Sequence, residues 1–463
     1  MLPVVALVGR PNVGKSTLYN SLTRSRDAIV TDLPGVTRDR LFGICRRAER
    51  PFMVVDTAGL TENEDVLAKG MSAQSWQAID ESDQVCLVVD ARDGLHPDDQ
   101  EIAQRIRATG KSMLVVVNKM DGVDEHAAMA EFSRLGVAQV HFVAAAHNQG
   151  VNDLCEALLA LLPADESSAV EDDGAIRIAI IGRPNVGKST LVNRLLGEDR
   201  VLAMDMPGTT RDAVRVPLER DGKRYVLIDT AGIRRKARVG EGLEKFSVIK
   251  ALQAIVESHV TILMLDAQQG FADQDAHILG EAVNAGRGLV LAVNKWDGLS
   301  VRERTQVNSR LDWGLSFVSF AKRIPISALH GSGLGELLKA VNQAHKAATR
   351  EFSATELTEA IQKAFEKHQP PLVNGRVAKM RYAHQGGRNP PRVIIHGNRL
   401  ASLPESYKRY LEGQLRTRFR LTGTPVVLEF REGANPYAGK RNELTERQKK
   451  KRARLIKHVK RGG

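Results

Sequence analysis

Cysteine is scarce in this chain: Cys45, Cys86 and Cys155 are the three in 463 residues. They lie far apart in sequence with no metal-ligand spacing, which argues against zinc and for buried structural thiols in a reducing cytosol. Long hydrophobic runs are missing too, and none reaches the roughly 18 residues that a membrane-spanning helix needs. The opening "MLPVVALVG" lacks a basic leader and runs straight into a glycine loop, so it is expected to be a strand rather than a signal peptide. Acidic charge is short at one end. Residues Arg350–Gly463 hold 26 basic and 10 acidic side chains, a balance of +16, whereas the preceding 349 residues balance at −4. A slightly acidic body with a strongly basic end points to a polyanion, either nucleic acid or anionic membrane. The length suggests about three domains, and 42% hydrophobic residues are enough for several cores.

What is present is a repeat. "GRPNVGKST" occupies Gly9–Thr17 and returns unchanged at Gly182–Thr190, an offset of 173. It fits G-x-x-x-x-G-K-[ST], and each copy follows a buried-strand pattern ("PVVALV", "IRIAII") and precedes a helical one ("TLYNSL", "TLVNRL"). In that context the backbones of Gly9, Arg10, Pro11, Asn12, Val13, Gly14 and their counterparts Gly182, Arg183, Pro184, Asn185, Val186, Gly187 are expected to wrap phosphate oxygens at a helix N-terminus, with N–H donors from every residue but the two prolines. Lys15 and Lys188 are expected to reach the β- and γ-phosphates, and the Ser16 and Ser189 hydroxyls to hold Mg²⁺.

Two further motifs recur. "DTAG" covers Asp56, Thr57, Ala58 and Gly59, then Asp229, Thr230, Ala231 and Gly232, again 173 apart. The aspartates can position Mg²⁺ through water, and Gly59 and Gly232 can offer an N–H to the γ-phosphate. "NKMD" (Asn118, Lys119, Met120, Asp121) and "NKWD" (Asn294, Lys295, Trp296, Asp297) each close an apolar strand, at an offset of 176. A carboxylate there accepts both N1–H and the exocyclic amine of guanine. Adenine lacks that donor pair and would leave a buried Asp121 or Asp297 unpaired, so the motif selects GTP and GDP.

The ordered set of phosphate loop, "PGVTRD", "DTAG" and "NKxD" resembles the GTPases related to translation factors. Two such units in tandem, followed by a small basic domain, resemble over essentially the whole chain the bacterial double-GTPase family Der, also called EngA. The resemblance implies an α/β fold: two P-loop GTPase domains with doubly wound, mostly parallel sheets, 1–163 and 175–348, and a small α+β KH-like domain, 349–439. It further implies a cytoplasmic, monomeric GTPase acting in assembly of the large (50S) ribosomal subunit through rRNA, without membrane association. Thr37 in "PGVTRD" and Thr210 in "PGTTRD" match the switch threonines that reach Mg²⁺ when γ-phosphate is present. With Lys15, Gly59, Lys188 and Gly232 they form the expected catalytic set.

The glutamine that many GTPases place after DxxG to orient water is absent; Leu60 and Ile233 stand there. The family shares this substitution, and its relatives use the asparagines matching Asn12 and Asn185 to help hold a K⁺ near the phosphates. Slow hydrolysis stimulated by K⁺ and by a partner is therefore expected. A last guanine motif, Ser-Ala, appears as Ser327–Ala328, whereas the first copy has Ala144 before Ala145. The Ala145 backbone N–H can still serve guanine O6.

The copies diverge after "DTAG", into acidic "LTENEDVLAKG" in the first and "IRRKARVGEGLEKF" in the second, where Arg234, Arg235, Lys236 and Arg238 cluster. Such a segment can contact RNA phosphates in one nucleotide state only. The acidic stretch 164–174 is expected to be a flexible tether. The C-terminal third reads α-β-β-α-β, with Tyr407, Tyr410, Leu411, Leu415 and Phe419 on one helix face as core. It contains no GxxG loop, so conventional KH-type RNA clamping is not expected there. The tail 440–463 carries 11 basic and 2 acidic residues and is expected to be disordered until it meets rRNA. An RNA-binding scaffold with structural GTP is the competing class, and multiple turnover separates the two. A nucleotide kinase is disfavoured by the two guanine motifs.

Overall fold

Apolar runs without alternation become central parallel strands, buried on both faces. The strands of the first copy are β1 (Val4–Val8), β2 (Phe42–Cys45), β3 (Phe52–Asp56), β4 (Gln84–Asp90), β5 (Met113–Asn118) and β6 (Val140–Phe142), with β2 and β6 at the edges. Every residue of β1, β3 and β4 is buried. The sheet order is β2-β3-β1-β4-β5-β6, antiparallel only at β2. Helices α1 (Lys15–Thr23), α2 (Ala73–Glu81), α3 (Pro97–Ala108), α4 (Glu125–Phe132) and α5 (Val151–Leu161) connect the strands.

The second copy repeats this topology with β7 (Ile176–Ile181), β8 (Val216–Arg220), β9 (Lys223–Ile228), β10 (Val260–Asp266), β11 (Gly288–Asn294) and β12 (Lys322–Pro325), in order β8-β9-β7-β10-β11-β12. Its helices are α6 (Lys188–Leu196), α7 (Val248–Glu257), α8 (Asp273–Asn284), α9 (Val301–Gly314) and α10 (Leu334–Ala348).

This computed structural model describes residues 2–23, 42–45, 47–57, 73–163, 174–197, 215–228, 248–373, 376–400 and 402–432. The chain divides into two units: Met1–Glu351 with Gly386–Arg392 and Leu415–Val427, and Phe352–Gln385 with Val393–Gln414 and Leu428–Gly463. The expected tether 164–174, apart from Gly174, and the basic tail lie outside the described residues.

The C-terminal elements are α11 (Ala354–Lys367), a hairpin of β13 (Leu372–Val373) and β14 (Arg376–Val377), then β15 (Lys379–Gly387), β16 (Arg392–Asn398), α12 (Glu405–Phe419) and β17 (Val427–Glu432). The expected α-β-β-α-β order holds, with one addition. "GRVAKMRYAH" reads as a single strand but splits at buried Ala378, its first residues pairing back on Leu372–Val373. Of the α12 stripe, Tyr407, Leu411, Leu415 and Phe419 are buried as core, while Tyr410 is only half-buried.

All three cysteines are buried and free. Cys45 and Cys155, distant in sequence, have their sulfurs 3.8 Å apart. Burial alone pushes the Cys86 thiol up to about 12, as an inert core group requires. Among the described residues no helix is long and apolar enough to cross a membrane.

Candidate nucleotide sites

Each "GRPNVGKS" loop links a buried strand, β1 or β7, to the helix that starts at Lys15 or Lys188. Gly14 adopts φ +92°, and a Cβ there would fall 2.3 Å from Asn118 Nδ2; Gly187, at φ +100°, meets Asn294 Nδ2 at the same distance. Only glycine fits, since both the backbone conformation and the space are closed to a side chain. Asn12 and Asn185 also have positive φ, 66° and 63°, which asparagine tolerates better than most residues. Both are exposed, as is Pro11, while Val13 and Val186 anchor the loop in the core.

Lys15 folds back over its own loop, with Nζ donating to Gly9 O at 2.8 Å and Arg10 O at 2.7 Å. Lys188 does the same to Gly182 O at 2.9 Å and Arg183 O at 2.8 Å. Burial lowers the Lys15 pKa to about 8, against the opposing field of Asp56. A buried ammonium cradled by carbonyls is poised for an anion. Ser16 lies exposed and Ser189 half-buried in the following turn.

Register sets Asp56 opposite Leu7, two residues before the loop begins, and both Asp56 and Thr57 are buried. Thr57 Oγ1 donates to Leu7 O at 2.8 Å, tying the end of β3 to β1.

The asparagines of the NKxD motifs act as braces. Asn118 Nδ2 donates to Val13 O at 3.0 Å and its Oδ1 accepts the Ala145 N–H at 3.1 Å. Asn294 repeats this with Val186 O at 2.8 Å and Ala328 N–H at 2.9 Å. The N–H groups assigned from sequence to guanine O6 are thus bonded to these asparagines. Met120 N–H donates to Val143 O at 3.3 Å and Trp296 N–H to Ile326 O at 3.2 Å. Three loops converge at each site as a result.

Asp121 and Asp297 are not buried, which corrects the expectation from sequence: their side chains are 27% and 39% exposed. They project from loops past the strand ends, where a base can enter. His147 Nε2 lies 3.2 Å from Asp121, and His330 Nε2 lies 3.1 Å from Asp297. The Ser327 hydroxyl donates to Asp297 and is the main reason its carboxyl sits below the usual range. Ala144 has no hydroxyl, yet it closes the same bridge, to Gln149, that Ser327 closes to Ser332. Backbone bonds hold that loop in both copies.

Several partners were not foreseen from the motifs. Lys119 Nζ pairs with Asp90 Oδ2 and Lys295 Nζ with Asp266 Oδ2, both at 2.6 Å. Arg10 Nε meets fully buried Asp99 at 3.0 Å, and Arg183 Nε meets fully buried Asp275 at 2.9 Å. The arginine side chains therefore lock the loop onto the first turns of α3 and α8, leaving the backbone to face a ligand. A signal existed: Asp90→Asp266 and Asp99→Asp275 share the 176-residue offset of the NKxD motifs.

Thr37, Ala58, Gly59, Leu60, Thr210, Asp229, Thr230, Ala231, Gly232 and Ile233 lie outside the described residues, as do Arg234, Arg235, Lys236 and Arg238.

A family model described as "50S ribosome-binding GTPase" matches residues 4–119 and again 177–295. A second, "KH-domain-like of EngA bacterial GTPase enzymes, C-terminal", matches 352–431. GTPase Der of Hahella chejuensis is 54% identical over 460 residues, covering 99% of this chain and 98% of that one. GTPase Der of Thioalkalivibrio sulfidiphilus is 55% identical over 462 residues, covering 99% and 100%. Among solved structures, an Aquifex aeolicus Era variant bound to GDP·AlF4⁻ is 21% identical with a TM-score of 0.28, over 55% of this chain and 92% of that one. With two matched GTPase domains, an EngA-type C-terminal domain and full-length identity above one half to proteins named GTPase Der, the chain belongs to the Der (EngA) family of tandem P-loop GTPases.

Proposed function

We propose that this chain is a GTP-hydrolysing switch that acts in the cytoplasm, as a monomer, on assembling large ribosomal subunits through contact with rRNA. The observation that carries the reading is the duplicated site. Two loops with identical sequence are braced by equivalent asparagines and capped by equivalent lysines, each beside an accessible carboxylate. The ribosomal part is supported by the family description as 50S ribosome-binding and by the +16 balance from Arg350 onward.

In this reading Lys15 and Lys188 exchange carbonyl partners for β- and γ-phosphate oxygens. Asp121 and Asp297 accept the guanine edge. The residues present fit Mg²⁺, because Ser16 and Asp56 offer hard oxygen donors near the loop. Ser189 matches Ser16, and Thr37, Thr210 and Asp229 complete the assignment. Among the described residues there is no group of three or more His, Cys, Asp or Glu placed to hold a metal. The ion would neutralise charge on the transferring phosphoryl. Leu60 and Ile233 cannot orient water, so a K⁺ beside Asn12 or Asn185 would take part of the electrostatic load.

Sedimentation with purified ribosomal subunits tests the assignment. Co-migration with the large subunit only when loaded with a non-hydrolysable GTP analogue supports it. Absence of co-migration in both GDP and GTP-like states removes the ribosomal role.

A further inference from the structure

The two copies hold the same carboxylate by different means. In the second, Ser327 is buried; its hydroxyl donates to Asp297 and accepts the His330 N–H at 3.2 Å. In the first, that position is Ala144, which has no hydroxyl. The histidine contact exists in both copies, so it does not make up the difference. Two further things differ: Asp297 also feels the field of Arg304, and the residue two places past the aspartate that ends β4 or β10 is not the same. Arg92 N–H donates to Asp90 Oδ1 at 2.9 Å, and Gln268 N–H donates to Asp266 Oδ1 at 2.9 Å, so the two positions are equivalent. Arg92 is charged, and its Nη2 lies 3.5 Å from Asp121 Oδ2; Gln268 is neutral.

We propose that Arg92 is the positioning residue for the guanine-accepting carboxylate of the first site, replacing the hydroxyl that Ser327 supplies in the second. The inference rests on the reading of Asp121 and Asp297 as guanine acceptors. A carboxylate swinging freely on the loop must be ordered when the base binds, and a preset partner removes that cost. A hydroxyl does so by a directional bond. An arginine 57% exposed does so through a Coulomb field that salt screens. The two sites therefore differ in how ionic strength acts on base recognition.

The test uses the full-length protein with the second site silenced by Asp297→Asn, and reads fluorescent GDP binding at the first. Arg92→Gln is expected to weaken binding about threefold at low salt, with the difference shrinking toward 1 M salt. Adding Ala144→Ser to Arg92→Gln is expected to restore affinity and remove the extra salt dependence, a rescue that a general structural role for Arg92 would not give. Unchanged affinity in Arg92→Gln overturns the proposal, and so does a loss that Ala144→Ser fails to rescue. Asp121→Asn separates the two levels: if it leaves GDP affinity intact, the guanine-acceptor reading itself falls, and the proposal falls with it.

Discussion

Asn118 and Val13 are 105 residues apart in sequence, yet the asparagine amide donates to the valine carbonyl at 3.0 Å inside the core. The same side chain accepts the Ala145 N–H, so one residue fixes the glycine loop and the loop that carries Ala145 together. Asn118→Ala leaves a buried carbonyl and a buried N–H unpartnered, at a cost of about 1–3 kcal/mol. GDP affinity at the first site should fall about tenfold while the second is unaffected, as titrations with one or the other site silenced would report. Asn294→Ala should give the mirror result. Equal loss at both sites in either variant contradicts the brace.

The Lys15 ammonium makes the empty first site less stable. Its folded pKa of about 8 lies below the ordinary 10.5, so below pH 8 it is charged in both states and the full burial cost is present. Between about 8 and 10.5 the unfolded chain keeps a proton that the folded one sheds, so folding becomes more favourable as pH rises. A bound diphosphate reverses the shift, and GDP binding should take up protons above pH 8. Calorimetry in buffers of different ionisation heat measures this, and binding without proton uptake between pH 8 and 9 contradicts it. Lys15→Met should stabilise the ligand-free protein by about 1–3 kcal/mol while abolishing binding at that site.

Much of this fold was legible because its signals are local. Unbroken apolar runs mark β1, β4, β10 and β11, and glycine loops mark where helices begin. The sites were legible only where a motif is contiguous. Asp99, which anchors Arg10, is 89 residues from its partner, and nothing near it marks a carboxylate with no exposed surface. The motif gives no sign of the exposure of Asp121 and Asp297, because a motif carries identity, whereas accessibility depends on how far a loop projects past its strand. The copies themselves held the missing information, in acidic residues preserved at the 176-residue offset outside the motifs.

Arg10 holds Asp99, a fully buried carboxylate whose pKa burial raises and the guanidinium opposes. Arg10→Ala strands that charge and should destabilise the first domain by about 3–5 kcal/mol, seen as an early thermal transition that Asp99→Asn partly suppresses. Wild-type stability in Arg10→Ala would show that the arginine serves a ligand instead of the loop.

Asn12 can be separated into backbone and side-chain roles, because its φ of 66° suits glycine equally well. Asn12→Gly should keep GDP affinity within about twofold. It should lose the K⁺ stimulation of hydrolysis at the first site, and Asn185→Gly should do so at the second. Steady-state turnover in K⁺ and Na⁺ reads this out, and full stimulation in both variants rules out the side-chain oxygen as a cation ligand.

The central claim is that one chain carries two separate guanine-nucleotide sites. Native mass spectrometry of the protein saturated with GDP, repeated for Asp121→Asn, Asp297→Asn and the double variant, tests it most directly. The account predicts two nucleotides per chain, one in each single variant and none in the double. A single bound GDP in the wild-type protein, or two retained in either single variant, would contradict it.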